Sequence, residues 1–296
     1  MSSAALFVLL TACAPQGPGQ VLLAPDARRT GDAGQDGPHG VAWRALTVQV
    51  RLDAVVEVDV VYPASSDGML EGGPWPAAVL VQGGLVAPAR YRWLATHLAS
   101  RGVLTLMPHH ALDLALFEAD NGRLALDAPS DLSARDGNAL SGALEPEGPA
   151  VVLGHSLGGV SAAMQWANDD TFAGLGLLAS YPADGTSVEG QDGRPVLVLI
   201  GAEDQEAALA DVQAGYARFA DPAWMGVIAG MNHYSWTDAK SAEDTAKEGP
   251  PSRDDALTRT DAQWALDLWT DAILTGDEAA AAALDAGLVG EAIEWE

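Results

Sequence analysis

The hexapeptide Gly154-His155-Ser156-Leu157-Gly158-Gly159 constrains this chain more than any other feature. It follows the apolar run Ala150-Val151-Val152-Leu153 and precedes Val160 to Trp166, a helical pattern. In that strand–turn–helix context, G-x-S-x-G marks a sharp turn that holds its serine in a strained backbone conformation. Side chains two residues either side of Ser156 would collide, so Gly154 and Gly158 are required on steric grounds. The turn lifts the hydroxyl above the C-terminal edge of a sheet. It also sets the next N–H at a helix N-terminus, which favours developing negative charge.

The surrounding pattern predicts the sheet. Leu46, Val48 and Val50 alternate with polar residues, as do Val56, Val58 and Val60, with a break at Leu52-Asp53-Ala54. This predicts a hairpin with one wet face. Ala77 to Val81, Val103 to Leu106, Ala150 to Leu153, Leu175 to Leu178, Val196 to Ile200 and Val227 to Ala229 are instead apolar throughout. Strands buried on both faces look like this, and such strands run parallel. Helical patterns at Tyr91–Ser100, Leu157–Ala167, Glu206–Phe219 and Asp261–Leu274 alternate with them. The expectation is a three-layer α/β domain over residues 41–275: a mostly parallel sheet, an antiparallel N-terminal hairpin and helices on both faces. Loops at the strand C-termini then share one edge, where sites form. Residues 276–296 are an Ala-rich acidic tail with helical potential. The polar stretch from Thr237 to Arg259 reads as a loop, with a lid as the alternative.

A hydrophobic content of 48% over 296 residues is ample for such a core. The net charge of -26 repels nucleic acid and anionic membrane faces, and neither is expected as a partner. The single cysteine, Cys13, excludes an intrachain disulfide and a Cys-based metal site. It ends Leu6 to Cys13, a stretch too short to span a membrane. Leu10-Thr11-Ala12-Cys13 resembles a bacterial lipobox, which predicts acylation of Cys13 and an extracytoplasmic, membrane-tethered protein. No Lys or Arg precedes the apolar run, so a start further upstream is expected for a true signal. Residues 1–13 are then signal and lipobox. Residues 14–40, rich in Gly, Pro, Gln and Asp, read as a tether.

A serine hydroxyl needs a contacting base, usually a histidine oriented by a carboxylate. On an elbow of this kind the chain order is Ser, acid, His. Only His233 follows Ser156; it lies in Gly230-Met231-Asn232-His233, after a strand. The acid should follow the penultimate strand, where Val196 to Ile200 leads into Gly201-Ala202-Glu203-Asp204. Asp204 is the first choice, with Glu203 and Asp184 as alternatives. His39 falls in the tether, His97 in a helix and His155 on the elbow, its side chain turned away from Ser156. His109 and His110 follow a strand and are candidate pocket residues, as are Phe117, Tyr181, Tyr234 and Trp236. No third ligand is visible beside His109 and His110, so no metal is expected. Gln82-Gly83-Gly84-Leu85 follows Val81, and its glycines allow close backbone approach. The N–H groups of Leu157 and Gly84 are the expected oxyanion donors.

Taken in order, the loop at Gln82, the helix from Tyr91, the elbow at Ser156, Ala179 to Asp184, Gly201 to Asp204 and Gly230 to His233 resemble the α/β-hydrolase superfamily. The resemblance covers about residues 41–275. It is nearest to the dienelactone-hydrolase, chlorophyllase and platelet-activating-factor-acetylhydrolase-like branch. It implies cleavage of a carboxylic ester, thioester or related acyl bond of a small molecule through an acyl-enzyme, without a cofactor. Gln82 stands where many such enzymes carry His. Other expectations on the same scaffold are amidase or cofactor-free haloperoxidase chemistry, or a non-catalytic envelope protein that kept the fold.

Overall fold

The computed structural model describes residues 20–23, 33–51, 54–117, 120–133, 140, 142–145, 148–191, 193–286 and 293–295. The strands are β1 (Gln20–Leu23), β2 (Gly40–Arg51), β3 (Ala54–Ala64), β4 (Ala77–Val81), β5 (Leu104–Pro108), β6 (Ala150–His155), β7 (Phe172–Leu178), β8 (Val196–Gly201), β9 (Ala223–Ile228) and β10 (Ile293–Trp295). They form one sheet in the order β1-β2-β3-β5-β4-β6-β7-β8-β9-β10. The pairings from β5 through β9 are parallel, while β1, β2, β3 and β10 join antiparallel. The mostly parallel sheet with its N-terminal hairpin is as the sequence predicts.

Side-chain alternation explains the layering. Along β4, Ala77, Val79 and Val81 join one buried cluster, while Ala78 and Leu80 join the other. β6 and β8 divide the same way. Helices α2 (Asn121–Ser133), α3 (Leu157–Asn168) and α4 (Leu209–Tyr216) contribute Ala125, Trp166 and Val212 to the first cluster. Helices α1 (Arg92–Ser100), α6 (Asp255–Thr270) and α7 (Glu278–Asp285) contribute Leu98, Trp269 and Leu284 to the second. Both faces are therefore covered, and the central strands have no wet side. No helix among the described residues is long and apolar enough to cross a membrane.

The chain runs from β4 outward to β5, then returns to place β6 on the other flank of β4. That reversal opens a crevice at the carboxyl ends of β4 and β6, where ligands bind in open α/β sheets.

Several boundaries differ from the sequence reading. Helix α2 lies in a stretch where no helix is expected. Helix α4 covers only the middle of Glu206–Phe219. The stretch from Thr237 to Arg259 holds α5 (Ala242–Glu248) and the first turn of α6, because Ser241 and Asp244 form a capping box that starts a helix among polar residues. The tether reading also extends too far. β1 pairs with β2, Gly34 N–H donates to Asp267 Oδ2 at 2.6 Å, and His39 N–H donates to Ser100 O at 3.1 Å. Backbone donors from this segment thus satisfy groups on α6 and α1. Cys13 lies outside the described residues.

His97 anchors the same corner. Its Nε2 is 2.7 Å from Asp267 Oδ1, and its Nδ1 is 3.3 Å from Asp36 Oδ1. Burial disfavours the imidazolium, but the bonds to Asp267 and Asp36 outweigh it and leave the His97 pKa raised. A raised folded-state pKa adds stability that is complete below the unfolded value of about 6.5 and is lost as pH rises through the folded value. Thermal melts between about pH 6 and pH 9 should show the wild type losing stability with rising pH more steeply than His97→Gln. Parallel slopes would mean that the pair carries no net stability.

Candidate active site

The elbow is built as its glycines require. Ser156 has φ 53° and ψ -127°, a strained combination for a non-glycine residue. It is held by its N–H on Leu178 O at 3.0 Å, and its own carbonyl accepts Ser180 Oγ at 2.7 Å. A Cβ on Gly154 would strike the backbone of Gly158 and Gly159, and one on Gly158 would strike the carbonyls of Val81 and Gln82. The turn between β6 and α3 therefore presses directly against the loop after β4.

His233 and Asp204 meet across the ends of β9 and β8. Nδ1 of His233 lies 2.9 Å from Asp204 Oδ2 and 3.2 Å from Oδ1. The Asp204 carboxylate is fully buried and His233 nearly so. Asp204 Oδ1 also accepts the N–H groups of Glu206 (3.0 Å) and Ala207 (2.7 Å), which fixes the carboxylate against its own turn. With Asp204 as acceptor, Nδ1 carries the imidazole proton and Nε2 keeps its lone pair. Asn232 caps the short helical turn His233–Trp236 that presents the ring. The alternatives fall away: Glu203 binds the N–H and hydroxyl of Ser252, and Asp184 is exposed.

Ser156 and His233 border one cavity of about 330 Å³, together with Gly84, Leu157, Tyr181 and Tyr234. In the loop after β4, Gly83 N–H donates to Tyr91 Oη (2.9 Å) and Leu85 N–H to Asp113 O (2.8 Å). The N–H groups of Gly84 and Leu157 donate to no protein acceptor among the described residues, and both residues face the cavity. Leu157 N–H is also the first of α3, where the helix dipole adds to its positive character.

A buried chain of hydrogen bonds joins this loop to the His233 turn. Tyr91 Oη lies 2.8 Å from His155 Nδ1, and His155 Nε2 lies 3.1 Å from His233 O. A carbonyl only accepts, so Nε2 carries the proton and Nδ1 accepts from the Tyr91 hydroxyl. Burial, then the neighbouring His233 and Arg90, push the His155 pKa well below its ordinary value. Burial likewise pushes the Tyr91 phenol up. Both groups are thus held neutral, as the directed chain requires. Tyr91 and Ser180 lie in stretches that carry the family resemblance, but their bonding roles are not expected from the sequence, since their partners lie 64 and 24 residues away.

Three expected pocket residues lie elsewhere. Trp236 is fully buried against His155 and Trp93. His110 turns to Gln82, with Nδ1 3.0 Å from Oε1. His109 faces Asp59, with Nε2 3.5 Å from Oδ1. The side chain of Phe117 lies outside the described residues. Glu57 and Asp59 join His109 in a group whose ligand atoms all lie within 4.8 Å of one another. His109 therefore has further potential ligands that spacing along the chain hides, because they come from β3. None of the three borders the cavity.

Replacing Tyr91 with Phe would strip both Gly83 N–H and His155 Nδ1 of their buried partner. Urea denaturation should register a loss of about 2 kcal/mol. An unchanged midpoint would show that the loop and elbow do not depend on this hydroxyl.

No curated protein matches the chain. A family model, the alpha/beta hydrolase family, matches residues 77–241, more than half of the chain and the span from β4 to just beyond His233. With its sheet order, elbow and crevice in agreement with that match, the chain belongs to the alpha/beta hydrolase family.

Proposed function

We propose that the protein is a serine hydrolase that cleaves a carboxylic ester through an acyl-enzyme. One observation carries this reading: the strained Ser156, the Asp204–His233 pair and two undirected backbone N–H groups converge on a single cavity. Ser156 Oγ attacks the acyl carbonyl while His233 Nε2 takes its proton. Asp204 holds the imidazole tautomer and stabilises the imidazolium. The N–H groups of Gly84 and Leu157 receive the oxyanion. His233 passes the proton to the leaving alcohol, and water activated by the same nitrogen then releases the acid. The chemistry draws on no cofactor.

The rim favours apolar acyl groups. Of the large hydrophobic residues left exposed, Leu157 and Tyr181 border the cavity. A thioester or amide would fit the same oxyanion site, and the dienelactone-hydrolase-like branch is part of this reading. The rival of another class is a non-catalytic envelope protein. It would fail to react with a fluorophosphonate, whereas the proposed enzyme should be labelled at Ser156.

On p-nitrophenyl esters of increasing acyl length, the wild type should turn over and Ser156→Ala should lose on the order of 10⁶ in kcat, as found for another serine triad. Equal rates for the two proteins would overturn the assignment.

The N-terminal reading is also a proposal: Cys13 is acylated and tethers the domain outside the cytoplasm, the lipid anchor being its only membrane attachment. Labelled palmitate should enter the wild-type protein expressed in a bacterial host and not Cys13→Ala. Equal incorporation would exclude the anchor.

A further inference from the structure

Glu248 ends α5, in the stretch that reads as a polar loop, and only 9% of it is exposed. Its carboxylate faces no lysine or arginine among the described ion pairs. It gathers backbone donors instead. Oε1 accepts the N–H groups of Gln205 (2.6 Å) and Glu206 (3.1 Å), and Oε2 accepts the N–H of His233 (2.7 Å). The two oxygens therefore serve two different loops. Gln205 and Glu206 belong to the turn that carries Asp204, and Glu206 N–H is shared with Asp204 Oδ1. His233 belongs to the turn after β9.

We infer that Glu248 is a positioning residue that locks the acid loop to the base loop. The inference rests on the serine hydrolase reading and assigns Glu248 no contact with substrate. Asp204 and His233 follow the paired strands β8 and β9, and Ala202 N–H to Ile228 O and Glu203 N–H to Met231 O (both 2.9 Å) bring the two turns side by side, but the described backbone pairing stops short of Asp204 and His233 themselves. One carboxylate spanning both turns completes the tie, joining the residues just after Asp204 to the peptide N–H of His233. His155 closes the other side of the same peptide segment by donating to His233 O, so the base residue is gripped through both its N–H and its carbonyl.

The segment carrying Glu248 is itself anchored. Arg90 binds Asp244 at 2.6 Å, Asn232 Nδ2 donates to Gly249 O at 3.1 Å, and Gln205 Nε2 donates to Glu248 O at 3.3 Å. Helix α5, whose Lys247 borders the cavity, is thus strapped to the loops that carry Asp204 and His233. An open depression bordered by Asp204, Gln205, Asn232 and Glu248 lies at this corner.

The decisive variant is Glu248→Gln. It keeps shape and length, but a carboxamide offers one accepting oxygen where two are needed. Its NH2 group must face the N–H of either His233 or Gln205, so one loop is released. The experiment compares wild type, Ser156→Ala and Glu248→Gln on a p-nitrophenyl ester, with thermal melts. It also follows the downfield proton resonance of His233 Nδ1–H, identified by its loss in Asp204→Asn. Expected for Glu248→Gln are a folded protein, a kcat lower by about 10- to 100-fold with KM within twofold, and a shifted or broadened Nδ1–H signal. A kcat within twofold of wild type, or an unmoved resonance, overturns the positioning role while leaving the serine mechanism intact. If Glu248→Gln does not fold, Glu248→Asp, which keeps the charge but draws the oxygens back by about 1.5 Å, takes its place with the same criteria. Should the wild type match Ser156→Ala on the ester, the hydrolase reading fails. The resonance then still decides whether Glu248 sets the His233–Asp204 geometry.

Discussion

The structure turns on the close approach of the Gly158 backbone to the carbonyls of Val81 and Gln82. There is no room at that contact for a side chain. Because there is none, α3 can start immediately beside the loop after β4. The two backbone N–H groups of Gly84 and Leu157 then face a common space. A side chain at Gly158 would push the turn away from the end of β4 and separate them, and one at Gly154 would force the start of α3 off the end of β6. The strain held in Ser156 is the counterpart of this contact: the serine keeps a poor φ/ψ combination, pinned by its N–H on Leu178 O and its carbonyl on Ser180 Oγ.

A chain with 41 acidic and 15 basic residues has few cations for its buried carboxylates. The fold answers with peptide N–H groups. Asp204 receives two and Glu248 receives three, while Asp267 receives that of Gly34 in addition to His97 and Arg101. A carboxylate bonded to main-chain donors is fixed in direction as well as satisfied, which a flexible lysine would not achieve. Beyond the charge it adds to the surface, acidity inside the fold ties loops together. The second role appears only at turns and helix ends, where peptide N–H groups are left over from regular structure.

Much of the fold was legible because it depends on local patterning. Runs such as Val196 to Ile200 are apolar on both faces and can only be interior parallel strands. The elbow was legible because its glycines and serine sit within six residues. The pairing of His233 with Asp204 followed from chain order on such a scaffold, and the geometry brings those two residues together. Helix α2 is not legible in the sequence because Gly122 and the interior Pro129 disfavour a helix there, so tertiary packing rather than propensity holds it. Helix α5 was hidden by its polarity, since a short helix stitched by caps and ion pairs has no hydrophobic period to read.

What the sequence alone determined was the set of groups available and the turn that presents Ser156. Both are encoded within a few neighbouring positions. The tertiary structure decided which distant groups share a surface. It buried Trp236, turned His109 and His110 away from the cavity, brought Glu57 and Asp59 beside His109, and placed Glu248 between the loops of Asp204 and His233. Those outcomes depend on strand order and on where leftover peptide donors point. Neither is written in the spacing of residues along the chain, because hydrogen bonds between loops are set by the sheet that holds the loops apart.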